Sequence, residues 1–131
     1  MKTSIAILIL TIFTSISRAQ DVVQWKFSSK KITDKTYEVH FTPTVQLPWH
    51  IYSANIPESN MARPTTFYFT KNPLIELVGK IKETGLQKDF VQALKLKTKV
   101  KTNLTGEITF MACTDTRCLP PETVKFSIKL E

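Results

Sequence analysis

Polar and apolar residues alternate strictly through four stretches of the chain. Tyr37, Val39 and Phe41 are interleaved with Glu38, His40 and Thr42, and Leu94, Leu96, Thr98 and Val100 with Lys95, Lys97, Lys99 and Lys101. Ile108, Phe110 and Ala112 alternate with Glu107, Thr109, Met111 and Cys113, and Val124, Phe126, Ile128 and Leu130 with Lys125, Ser127 and Lys129. A period of two sends successive side chains to opposite faces, the pattern of antiparallel strands with one face buried and one solvated. Shorter candidates are Val23–Ser28, Trp49–Ser53, Thr65–Thr70 and Leu74–Val78. Turn residues separate them at Asp34-Lys35, Leu47-Pro48, Asn55–Pro64, Asn72-Pro73, Gly79, Gly85 and Asn103–Gly106. Only Lys80–Leu94 carries a weak helical alternative, and Gly85 lies inside it. About eight short strands at this spacing predict a single all-β domain, an immunoglobulin-like antiparallel β-sandwich.

The first nineteen residues do not fit that pattern. Lys2 precedes the apolar run Ile5–Phe13, and Ser17 and Ala19 are the small residues that a signal peptidase reads. The run is far shorter than the ~20 residues that span a bilayer. The expectation is a signal peptide over 1–19, cleaved after Ala19, and an exported domain over 20–131 that does not span the membrane. No Cys lies near the cut, which excludes a lipid-anchored product.

Composition then narrows the chemistry. With 42% hydrophobic and 22% charged residues the chain is not disordered. Three glycines leave no Gly-rich phosphate loop, and no Cys/His zinc set is recognisable. A copper site using Met111, Cys113 and a histidine has no ligand spacing to support it. No metal and no cofactor are expected. The formal charge is +7. Outside the cytoplasm such a surface meets acidic proteins or membrane surfaces rather than nucleic acid.

Both cysteines fall in the exported part, where disulfides form and persist. Cys113 and Cys118 bracket Thr114-Asp115-Thr116-Arg117. Fully extended, five residue steps would separate the two Cα atoms by ~17 Å, and a disulfide needs roughly 7 Å or less. The chain must turn back, and Thr-Asp-Thr suits a turn. A four-residue loop would set the cysteines across a hairpin mouth, where facing Cα atoms lie ~4.5–5.5 Å apart. Cys113 shares its face with Glu107 and Thr109, so parity predicts that it points away from the core. Closing a loop of about six residues stabilises by only ~2 kcal/mol, against ~4–5 for cysteines a hundred residues apart. A short surface disulfide is also open to attack by another thiol. Spacing alone leaves two readings open: a redox pair, or the structural pin of a non-catalytic binding module.

The segment Met111-Ala112-Cys113-Thr114-Asp115-Thr116-Arg117-Cys118-Leu119-Pro120-Pro121-Glu122-Thr123 resembles the active-site segment of the N-terminal domain of the thiol:disulfide interchange protein DsbD. That family's domain carries two Cys a few residues apart, an acid two after the first and Pro-Pro two after the second, in the last hairpin of an immunoglobulin-like sandwich. Trp49-His50-Ile51-Tyr52, Pro64-Thr65-Thr66-Phe67, Leu77-Val78-Gly79 and Phe90–Val100 follow in the family's order, so the resemblance covers 22–130. It implies a periplasmic protein-disulfide oxidoreductase relay with Cys113 and Cys118 as the redox pair and Asp115, Arg117, Pro120 and Pro121 modulating it. It also implies a membrane thiol:disulfide transporter as electron donor and periplasmic thioredoxin-like or disulfide isomerase proteins as acceptors. Because the chain ends at Glu131, the donor is expected to be a separate protein.

The chain departs from the family in two places. The best-known members have five residues between the cysteines, and this chain has four. Those members shield the disulfide with a loop bearing an aromatic cap. The corresponding stretch here, Lys80–Gly85, has no aromatic residue, and Phe90 would serve only in a different register.

Which sulfur exchanges with a partner can also be read. Arg117 precedes Cys118, Asp115 lies two residues after Cys113, and nearby cations favour the thiolate. Pro120-Pro121 holds the chain after Cys118 extended. In the family the second cysteine forms the mixed disulfide, so Cys118 is expected to attack and Cys113 to resolve. The two histidines, His40 and His50, are remote from the cysteines in sequence, and alternation places His40 on a solvent face. The Lys95/97/99/101 stripe reads as a solvated or edge strand that lysine protects against pairing. Asn55–Pro64 is the expected contact loop.

Overall fold

A computed structural model describes residues 22–59, 61–84 and 89–131; the expected signal peptide lies outside the described residues. Seven strands form: β1 (Val23–Lys31), β2 (Thr36–Val45), β3 (Thr66–Phe69), β4 (Ile75–Thr84), β5 (Asp89–Leu96), β6 (Thr102–Phe110) and β7 (Glu122–Leu130). One sheet has the order β1-β2-β5-β4 and the other β3-β6-β7, with every neighbouring pair antiparallel. In chain order this is the ABED-on-CFG arrangement of an immunoglobulin constant-type sandwich. No helix of the described residues is long and apolar enough to cross a membrane.

The alternating stretches meet as the pattern demands. Tyr37, Val39 and Phe41 on β2 and Phe90, Leu94 and Leu96 on β5 are buried against Leu104, Ile108 and Phe110 on β6 and Phe126, Ile128 and Leu130 on β7. Aromatic rings fill the space between the sheets. Phe41 lies 4.8 Å from Phe126 and 5.1 Å from Phe67, and Trp25 lies 5.5 Å from Phe110 and 5.9 Å from Phe90. Such pairs add to the stabilisation from burial alone, so this core holds its sheets together without a cross-sheet disulfide.

Several expectations are corrected. Trp49–Ser53 is not a strand; only His50 forms a single antiparallel bridge, to Cys113. The alternation of 94–101 outruns its strand, because β5 ends at Leu96 and Val100 is 57% exposed. β5 is also flanked by β2 and β4, so its one lysine, Lys95, protects no sheet edge, whereas the solvated reading holds, with Lys95, Lys97, Lys99 and Lys101 all exposed. Lys80–Thr84 completes β4 and Asp89–Leu96 forms β5, so no helix occupies the described part of 80–94.

Two glycines expected in turns lie inside strands. Gly79 takes φ 70 at a bulge in β4, where the register with β5 shifts between Val78 and Lys82. A bulge leaves ladder groups unpaired, and the buried Gln92 answers one of them: its Nε2 donates to Gly79 O at 3.1 Å and to Ala93 O at 2.9 Å. Gly106 sits mid-strand in β6, opposite both Phe69 and Phe126. A Cβ there would run into the Tyr68 carbonyl and the Phe126 ring, so the close approach of β3 requires glycine.

The sandwich has two poles. One gathers the start of β1, the 46–65 connection after β2, and the hairpin from the end of β6 to the start of β7. The other gathers the β1–β2 turn, the 97–101 connection and the end of β7.

Candidate functional site

β6 leaves its ladder at Phe110, and the next residues turn inward. Met111, Ala112 and Cys113 are all buried, whereas Cys118 is exposed. Outward parity of Cys113 is therefore overturned. Parity holds only while a ladder continues, and here the chain changes partner: Cys113 N donates to His50 O and His50 N to Cys113 O, both at 2.9 Å. This reciprocal pair covers Cys113 on one side. Cys118 covers it on the other, through a second antiparallel bridge. The result is a three-stranded patch, His50–Cys113–Cys118, with Cys118 at its outer edge.

The hairpin between the cysteines is tight and closed by its own backbone. Leu119 N donates to Ala112 O at 2.9 Å, and Thr114 N donates to Arg117 O at 2.7 Å. The Thr114 hydroxyl accepts from Arg117 N at 3.2 Å and Thr116 N at 3.3 Å, a side-chain turn of the kind that Thr favours. Cys113 and Cys118 form a disulfide across the hairpin, as the spacing predicts, with a Cα–Cα distance of 4.0 Å that is shorter than expected of facing residues.

The residues expected to modulate the pair separate in space. Arg117 places its guanidinium 5.1 Å from the centre of the Trp49 ring, a cation–π contact that ties the hairpin tip to the 46–65 connection. Asp115 is exposed and makes no hydrogen bond or ion pair among the described residues. Pro120 and Pro121 are exposed and precede β7, which starts at Glu122, while Leu119 packs against the core. A groove of about 530 Å³ opens beside Cys118, lined by His50, Tyr52, Met61, Met111 and the hairpin. Met61 and Ala62 line this groove, so part of the loop over 55–64 lies beside Cys118.

His50 and Tyr52 are the residues that sequence reading missed. Their rings pack edge to face at 5.3 Å, with His50 Nε2 3.4 Å from the Tyr52 hydroxyl. Their one signal was the Trp49-His50-Ile51-Tyr52 cluster itself. The aromatic side chains brought to the hairpin are thus Trp49 and Tyr52, and Phe90 is a core residue. His40 does lie on the outer face of β2, part-buried. Its Nδ1 is 2.9 Å from Asp89 Oδ2, and the Thr42 hydroxyl donates to Asp89 Oδ1 at 2.7 Å. Among the described residues no group of three or more His, Cys, Asp or Glu is arranged to hold a metal.

No known family profile matches the chain, and no curated protein matches it. Among solved structures, it is similar to the DsbD N-terminal domain of Neisseria meningitidis in the reduced form. That match has 14% identity over 78% of this chain and 82% of that one, and a TM-score of 0.33. A likeness this distant adds nothing to the chemistry, which stands on the geometry of the hairpin.

Proposed function

We propose that this disulfide-bonded sandwich is an exported thiol–disulfide relay working through Cys113 and Cys118. One observation carries the reading: the pair is unequal, with Cys118 exposed beside an open groove and Cys113 buried behind it. In the reduced domain, the Cys118 thiolate attacks a partner disulfide and expels one partner sulfur as a thiolate. Cys113 then attacks the Cys118 sulfur of the mixed disulfide, re-forming the internal bridge and releasing the reduced partner. Burial keeps Cys113 from competing for the partner. Residues 1–19 are the cleaved signal, and 20–131 is the working domain in the periplasm. A membrane thiol:disulfide transporter supplies the electrons, and thioredoxin-like or disulfide isomerase proteins receive them.

A second reading has its own support. The groove is built from the connection after β2 and the last hairpin, the pole at which immunoglobulin variable domains present their binding loops. In that reading the protein is a non-catalytic binding module. The disulfide, with Cys113 locked to His50, simply pins the binding hairpin.

The test is to mix Cys113→Ser and Cys118→Ser separately with an oxidised thioredoxin-like protein. The relay predicts that Cys113→Ser, which keeps Cys118, accumulates a covalent complex. Accumulation with Cys118→Ser instead reverses the roles. No complex with either, together with a reduction potential below about −300 mV, makes the bridge a pin.

A further inference from the structure

The exposed lysines Lys97, Lys99 and Lys101 follow the end of β5, and they share a pole with those of the β1–β2 turn. Lys31 and Lys35 flank the β1–β2 turn, and Lys97, Lys99 and Lys101 lie in the 97–101 connection that follows β5. Leu96 N donates to Lys35 O at 2.7 Å, and Asp34 sits 3.5 Å from Lys99 and 4.0 Å from Lys31, so the two segments abut. Lys129 joins them at the end of β7, where its carbonyl accepts from the Ser29 hydroxyl. Asp34 and Glu131 lie among these six lysines and Glu76 lies nearby on β4 opposite Lys95, which leaves the pole positive.

Two further features separate one kind of anionic partner from the others. Ile32, in the β1–β2 turn, is 47% exposed and Val100, in the adjoining connection, is 57% exposed, so aliphatic side chains project among the lysines. A polyanion in water gains nothing from them, whereas the headgroup region of a bilayer takes up aliphatic groups and lysines together. The cluster also contains Lys and no Arg; Arg63 and Arg117 lie on the loops at the other pole. Arg forks suit a fixed phosphate or carboxylate, and Lys suits a diffuse negative surface.

We infer that this pole docks the protein on an anionic lipid surface, with Ile32 and Val100 entering the headgroup layer. The cysteine hairpin then faces away from the bilayer by the length of β6, roughly 30 Å for nine residues. The inference does not depend on whether the cysteines are redox-active.

Flotation of the full chain with vesicles decides it. Neutral phosphatidylcholine vesicles set the baseline, which includes any contribution of the apolar N-terminal run. Vesicles with about a third phosphatidylglycerol are expected to bind more, at about fivefold in partitioning per lysine engaged, with the gain lost as salt rises from about 0.1 M to about 0.5 M. The triple variant Lys97→Glu/Lys99→Glu/Lys101→Glu should lose more than about a hundredfold of that gain, the figure expected for neutralising the three lysines with Gln. Ile32→Ser/Val100→Ser, with charge unchanged, should lose about tenfold. Far-UV circular dichroism checks each fold, and Gln replaces Glu in any variant that fails to fold. Equal binding to both vesicle types, or a triple variant that binds like the wild type, overturns the inference. So does capture by heparin or polyglutamate with no gain on anionic vesicles, which would assign the pole to an acidic macromolecule.

Discussion

Reducing the disulfide should leave this fold standing, and the structure sets the size of the effect. The bridge closes a loop of about six residues, for which the chain-entropy model gives about 2 kcal/mol. The folded hairpin is independently held by Leu119 N to Ala112 O, Thr114 N to Arg117 O, the Thr114 hydroxyl and the reciprocal His50–Cys113 pair. None of these requires the sulfur–sulfur bond, so reduction mainly relaxes the unfolded chain. For about 110 ordered residues the entropy of unfolding converts 2 kcal/mol to a fall in Tm of about 9 °C. The assay is thermal melting by circular dichroism at several concentrations of a phosphine reductant, with free thiols counted before and after. A cooperative transition lowered by about 9 °C is expected. A loss above about 4 kcal/mol, or loss of the cooperative transition, would refute the reasoning: the backbone bonds would then depend on the bridge, and the cysteines would be a staple.

Three further outcomes follow from particular contacts. Gly106→Ala should cost at least about 3 kcal/mol in urea unfolding, since its methyl overlaps the Tyr68 carbonyl and the Phe126 ring, while Gly79→Ala, with open space around its Cβ, should cost only about 1–2 kcal/mol through its positive φ. Gln92→Leu should destabilise by about 1–3 kcal/mol by leaving the Gly79 carbonyl at the bulge without its donor, and hydrogen exchange should rise in β4 before it rises in β6. Arg117→Ala should lower stability by no more than about 1 kcal/mol and speed reduction of the disulfide by a small thiol, because the cation–π tether to Trp49 is lost at an exposed tip.

The sandwich and most of its core were legible in the sequence. A period of two over Tyr37–Phe41, Leu94–Leu96, Ile108–Phe110 and Phe126–Leu130 has one solution when the apolar face must be buried, and those residues are the buried ones. The close approach of Cys113 and Cys118 was legible too, because five residue steps must fold back before the sulfurs can meet. Both conclusions rest on local geometry, which residue order determines directly.

What failed were statements about neighbours distant in the chain. Cys113 turned inward because its peptide exchanges two hydrogen bonds with His50, sixty-three positions away, and no pattern near residue 113 announces that partner. Gly79 and Gly106 carry the residue type of a turn. One instead serves a bulge that Gln92 satisfies, and the other a close approach by Tyr68. The lysines of 95–101 alternate like a strand edge, yet sheet order places Lys95 on an interior strand and gathers Lys97, Lys99 and Lys101 at a pole with Lys31 and Lys35. Alternation records which face a side chain takes only while its own strand persists. Which strands become neighbours, where a strand ends and which loops meet at a pole are set by the packing of two twisted sheets, and that is where the groove beside Cys118 was decided.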